Sequence, residues 1–137
     1  MGLHTWLIEI PEEECRSLLA AATIGRVAVV VDGRPEIFPV NHVVDSTTGD
    51  VAFATRPGTK LHGCLDWPWV AFEVDGTEPD GGWSVALVGR AEEVGDDEVV
   101  HGLGVLGDER WAADPQMRWV RIVPDKLTGR RIRSDAP

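Results

Sequence analysis

The rhythm of apolar and polar positions changes once along this chain. Between Pro11 and Ala22 the apolar residues Cys15, Leu18, Leu19 and Ala22 follow the i, i+3, i+4, i+7 spacing of one helix face. Pro11 suits a first helical turn, Glu12, Glu13 and Glu14 complement the positive end, and Gly25 offers a stop. The spacing predicts a helix over 11–22. The chain then turns β-rich: Val27–Val31 and Glu36–Val44 flank Asp32-Gly33, a strong hairpin signal. Pro39, inside the second of these runs, predicts an edge position or a bulge. Ser46–Asp50 is expected as a turn and Val51–Thr55 as a third strand.

Arg56-Pro57-Gly58 breaks that strand and opens a short helix over Thr59–Leu65, with Thr59 as the expected N-cap. A fourth strand over Trp69–Val74, a loop over Asp75–Gly82 and a fifth strand over Trp83–Val94 come next. Gly95–Leu106 reads as a helix weakened by its glycines, and Gly107–Pro115 as a loop. The sixth strand is Arg118–Val123, continued after Pro124 by Leu127–Ile132. Strands in succession, without long helices between them, argue against a doubly wound parallel sheet. They predict a mainly β fold: a small antiparallel barrel with an N-terminal helix and short appended helices.

The 137 residues make one domain, 1–137, and no apolar run approaches the length of a membrane span. The formal net charge of −10 argues against non-specific nucleic-acid binding. The charge is uneven: Asp66–Asp114 is strongly acidic, whereas Lys126, Arg130, Arg131 and Arg133 make the end of the chain basic. Opposite signs in two segments suit contact between two copies, or are simply a solvated surface and a basic final strand. Two cysteines, Cys15 and Cys64, make no disulfide framework, and the first residues lack the pattern of a secretory signal. A reducing, cytoplasmic location is the expectation.

Few motifs carry chemistry. Gly102-x-Gly104-x-x-Gly107 matches a dinucleotide fingerprint by letter, but lacks the strand before it and the βαβ context that would give it meaning. His62-x-Cys64 has no second ligand pair, so no metal site is expected. No catalytic nucleophile–base set can be assembled. The informative stretch is Arg56-Pro57-Gly58-Thr59-Lys60, which leaves a strand and opens a helix. Backbone N–H groups at a helix N-terminus bind anions, Gly58 permits close approach, and Arg56 and Lys60 add positive charge. On spacing alone this is either an anion-binding turn or an ordinary capped helix with exposed bases.

At these residues the chain resembles the pyridoxamine 5′-phosphate oxidase-like family of FMN-binding split barrels. The resemblance runs in order through Leu18–Arg26, Val27–Pro35, Phe38–Asn41, Val51–Thr55 with Pro57–Leu61, Val70–Asp75, Gly82–Val85 with Gly89–Glu92, and Trp119–Ile122 with Thr128–Arg131. It implies a six-stranded antiparallel split barrel, a homodimer, and flavin at the interface. It places Pro39, Val40 and Asn41 along the flavin ring, and Thr55, Arg56, Gly58, Thr59 and Lys60 around the phosphate. Trp83 and Ser84 would approach the ring, with Trp83 alternatively a barrel-packing aromatic. Trp119 and Arg121 become candidates to reach the neighbour's cofactor. His42 stands where relatives often have another residue and would alter the substrate side of the ring. The C-terminus lacks the substrate-binding end of true pyridoxamine phosphate oxidases. The implied activity is an FMN-dependent oxidoreductase acting on a small molecule. The rivals are a deazaflavin-dependent reductase on the same fold and a non-enzymatic flavin carrier or sensor.

Overall fold

The computed structural model describes residues 5–106 and 114–134. The strands are β1 (Thr5–Glu9), β2 (Ile24–Val31), β3 (Arg34–Val44), β4 (Val51–Thr55), β5 (Trp69–Glu78), β6 (Gly81–Val94) and β7 (Arg118–Ser134). The helices are α1 (Glu12–Ala21), α2 (Thr59–Asp66) and α3 (Asp97–Leu106). Every pairing is antiparallel, in the order β1-β7-β4-β3-β2-β5-β6, and β6 also pairs with β7. That last pairing closes six strands, β2–β7, into a barrel, with β1 added outside the ring.

Alternation along the six strands of the ring divides inside from outside. Val27 and Val29, Val51 and Phe53, Phe72 and Val74, Val85 and Leu87, and Val120 and Ile122 all belong to one buried core cluster. Each such side chain contributes about 1.5–3 kcal/mol relative to exposure. The helices close this core off: Cys15 and Leu19 of α1 and Leu61 and Cys64 of α2 join the same cluster. Arg131 fixes α1 to the barrel, donating to Glu14 at 2.9 Å and to Glu78 of β5 at 2.8 Å. A second, smaller cluster lies on the outer face, where Leu103 of α3 covers Ala52, Ala54 and Trp119.

The β2–β3 turn is the expected one, with both central residues at positive φ, Asp32 at 51° and Gly33 at 76°. Pro39 sits where β3 has a neighbour on one side only, because β4 pairs β3 at residues 42–44 alone. A missing N–H is tolerated there. β7 runs unbroken through Pro124: Gly89 faces Pro124 while Val88 faces Lys126, so Asp125 is an extra, bulged residue.

Several expectations need correction. β1 is a seventh strand, paired with the C-terminal half of β7. Asp75–Gly82 is not a loop: β5 continues to Glu78 and β6 starts at Gly81, joined by a tight turn. Ladder bonds along the hairpin outweigh its loop-like composition. The N-cap of α2 is Gly58, not Thr59. Gly25 does not stop α1 but lies in β2, where a Cβ would meet Phe72 Cζ at 2.2 Å. Of the expected loop 107–115, residues 107–113 lie outside the described residues. Gly102 and Gly104 belong to helix α3, not to a strand–turn–helix, and Gly107 lies outside the described residues.

Candidate functional site

Strands β3 and β4 run together only briefly. Val44, Val43 and His42 pair with Val51, Ala52 and Phe53, and there the shared ladder ends. Beyond it β3 stays with β2, through Asn41↔Ile24, Val40↔Gly25 and Pro39↔Arg26. β4 stays with β7, through Ala54↔Trp119 and Thr55↔Arg118. A wedge opens between the diverging strands, leaving one edge of β3 unpaired among the described residues. β4 then runs out of the wedge at Thr55 into Arg56, Pro57 and Gly58, and so to the first turn of α2.

That turn meets the physical requirements of an anion site. Gly58 caps α2 without a side-chain hydrogen bond, so among the described residues the first N–H groups of the helix have no side-chain capping partner. A Cβ on Gly58 would touch nothing within 4 Å, so the approach is open. The Lys60 ammonium lies 5.8 Å from the centroid of the Phe38 ring. Arg56 reaches Asp114, Nη2 to Oδ2, at 3.5 Å. Thr55 is buried, and its hydroxyl donates to the Arg56 carbonyl at 3.3 Å. Two cations beside uncapped helix N–H groups are a donor set that fits a phosphate group. The expected residues Thr55, Arg56, Gly58, Thr59 and Lys60 are thus brought together by one strand end, one turn and one helix start. Asp114 was not among them. Nothing in the sequence ties it to Arg56, because the link runs through the pairing of β4 with β7.

The other expected residues divide by face. Pro39 and Asn41 are exposed on the outer face of β3 beside the wedge. Val40 points into the core, so what it offers a ligand is backbone. Ser84 faces outward opposite Arg130 and Asp75, whereas Trp83 faces inward. The Trp83 ring covers Gly76, where a Cβ would meet its Nε1 at 2.6 Å. Along β7, Ser84 is level with Arg130, whereas Thr55 is level with Arg118. Trp83 and Ser84 therefore pair with the half of β7 away from the phosphate turn, and Ser84 lies beside Asp75, which Arg26 reaches. Trp119 is buried under α3, and Arg121 is hydrogen-bonded to Glu92.

His42 belongs to the interior, not to the outer face that Pro39 and Asn41 share. Its Nε2 is 2.9 Å from the Leu19 carbonyl of α1, and its ring meets Phe72 edge-on with centroids 4.9 Å apart. Among the described residues Nδ1 has no hydrogen-bond partner. Burial lowers its pKa below the ordinary histidine value, opposed by the Leu19 carbonyl. Next to Pro39 on the outer face, Arg26 joins Glu73 and Asp75, each at 3.2 Å. Burial, then the Asp75 hydrogen bond and charge, push the Glu73 carboxyl up from its ordinary value. Cys64 is buried with its thiol pushed up to about 11 by burial, while His62 on the same helix faces solvent. Among the described residues no three potential ligands gather around a metal position, and no helix is long and apolar enough to cross a membrane.

Comparison with known proteins agrees with this geometry. The family model described as pyridoxamine 5′-phosphate oxidase matches residues 11–131. The uncharacterized protein Rv0080 of Mycobacterium tuberculosis is 34% identical, over 95% of this chain and 88% of its own length. A FAD-binding protein from Mycobacterium smegmatis is 32% identical and superposes with a TM-score of 0.70, covering 92% of this chain and 98% of that one. A FAD-binding protein from Mesorhizobium loti is 25% identical with a TM-score of 0.75, covering 91% and 97%. A six-stranded barrel split between β3 and β4, matched over nearly its whole length, places this chain in the pyridoxamine 5′-phosphate oxidase-like family of split-barrel proteins.

Proposed function

We propose that this protein binds a flavin nucleotide in the wedge between β3 and β4 and uses it for redox chemistry on a small molecule. The observation that carries the reading is the wedge itself, which opens onto an uncapped helix N-terminus flanked by Arg56 and Lys60. The two solved FAD-binding neighbours support a flavin, and the family resemblance makes FMN the expected one. When bound, the flavin supplies the hydride chemistry, so a separate protein acid or base is not obligatory.

The chain's own residues bind and orient. The first N–H groups of α2, with Arg56 and Lys60, hold the phosphate. Pro39 and Asn41 present a flat outer surface to the ring, and the unpaired edge of β3 offers backbone groups to its polar rim. We also propose a homodimer with the flavin at the interface, the arrangement that the family resemblance implies. Substrate would enter on the outer face, beside Arg26 and Glu73.

The direct experiment is equilibrium titration of the purified protein with FMN and with FAD, followed by flavin fluorescence. Saturable binding of one flavin per chain is expected, and the absence of binding by both would overturn the reading. A second reading, a flavin carrier without turnover of its own, is favoured by the same neighbours being described as binding proteins. Photoreduced, flavin-loaded protein separates the two readings, because a carrier would pass no electrons to small-molecule acceptors at catalytic rates.

A further inference from the structure

The β3–β4 ladder has two ends. The wedge opens beyond His42↔Phe53, and beyond Val44↔Val51 the chain turns through residues 45–50. Between that turn, helix α1 and β7 lies a cleft of about 380 Å³. Small-molecule sites run from roughly 300 to 1,000 Å³, and the flavin reading makes no use of this one. Its floor is apolar: Leu19 is buried, and Val44 and Leu127 pack half-buried against the core. Its rim carries Glu13 and Arg16 from α1 and Asp45 from the turn.

The turn holds its own shape. The Asp45 N–H donates to the Asp50 carbonyl at 2.9 Å, and the Gly49 N–H donates to the Asp45 carbonyl at 2.7 Å. Oδ1 of Asp45 accepts the Thr47 N–H at 2.8 Å, which fixes the carboxylate on the rim. Gly49 has a φ of 79°, and a Cβ there would lie 2.9 Å from Nη1 of Arg16. The absent side chain lets the guanidinium reach across from α1 to the turn and close one end of the cleft. Nη2 of Arg16 donates to Glu12 at 2.7 Å, an exposed pair that leaves most of the five guanidinium donors open to a ligand.

The rim therefore offers one cation and two anions above an apolar floor. A plain carboxylate meets two negative charges for one positive. A plain amine leaves Arg16 unmatched. A molecule with both signs on neighbouring atoms and an apolar body answers every group at once. We propose that this cleft binds a free amino acid with an aliphatic side chain. The carboxylate lies on Arg16, the ammonium faces Glu13 and Asp45, and the side chain covers Leu19, Val44 and Leu127.

The probes are L-leucine and its two halves: isopentylamine, which keeps the ammonium, and isocaproate, which keeps the carboxylate. Each is titrated into isotope-labelled protein while the amide NMR signals of Thr47, Thr48 and Gly49 are followed. Leucine is expected to shift them saturably and to bind at least about tenfold tighter than either half, the scale of one added charge-assisted contact. Arg16→Gln, on the exposed face of α1, should weaken leucine about tenfold and isopentylamine not at all. No saturable shift with leucine would overturn the proposal. So would isopentylamine binding as tightly as leucine, or leucine binding unchanged in Arg16→Gln. The titration needs no flavin, so its failure leaves the wedge reading standing.

Discussion

His42 faces Phe53 across the β3–β4 ladder and is the last residue of β3 to do so; one step further, Asn41 is paired with Ile24 and Ala54 with Trp119. At this point β3 passes from β4 to β2, whereas β4 keeps β7 along the whole of Val51–Thr55, and neither strand is interrupted. The barrel core continues underneath through Val40, Phe53 and Val27. The wedge is therefore rigid on both sides, which suits a site that must hold a flat ligand in one orientation.

Lys60 should carry a measurable share of flavin binding. Its ammonium sits beside the uncapped start of α2, where a charge-assisted contact to phosphate is worth about 1.5–3 kcal/mol. Lys60→Ala should weaken binding about ten- to hundredfold in a fluorescence titration. An unchanged dissociation constant would remove Lys60 from the phosphate site.

Much of this was legible in the sequence, and the exceptions have physical causes. The Asp32-Gly33 hairpin, the helix of residues 12–21 and the break at Arg56-Pro57-Gly58 are local signals, and they lie where the residues indicated. β1 was not legible, because all five of its residues are exposed and no alternation marks a buried face. The Asp75–Gly82 segment misleads because Gly, Asp and Pro dominate it, while the bonds that make it a hairpin come from pairing with its own return strand. The inward direction of Val40 and Trp83 follows from the period of two, once Val85 and Leu87 are taken as core. The approach of Asp114 to Arg56 and the Leu19–His42 bond depend on strands distant in sequence, which no local pattern records.

His42 makes stability depend on pH with a definite sign. Burial lowers its folded-state pKa, so below the ordinary value of 6.5 the unfolded chain takes up a proton that the folded chain refuses. Its contribution is fully present above pH 6.5 and is lost as pH falls through the folded pKa. Melting temperatures between pH 7.5 and pH 5 should fall less steeply in His42→Phe than in wild type. Parallel slopes would contradict the burial of an uncharged His42.

Gly25 is required by the ring of Phe72. A methyl group there would lie 2.2 Å from Phe72 Cζ, and that ring is also held against His42. Gly25→Ala should cost about 1–3 kcal/mol, lowering the melting temperature by on the order of 5–10 °C. A melting temperature within a degree of wild type would show that Phe72 has room to move.

Two copies should associate. Sedimentation at micromolar concentration is expected to give about twice the chain mass of 14.9 kDa. Dilution should lower the melting temperature, as it does for obligate dimers. A mass of 14.9 kDa with flavin still bound would mean that one chain builds the site alone.

Flavin retention tests the central claim most directly. The protein is mixed with excess FMN or FAD and separated from free ligand by rapid gel filtration, and the visible absorption of the protein fraction is read against chain concentration. Wild-type protein should retain close to one flavin per chain, and a variant lacking both Arg56 and Lys60 side-chain charges should retain little. A colourless wild-type fraction, or equal retention by the variant, would contradict a flavin phosphate held at the start of α2.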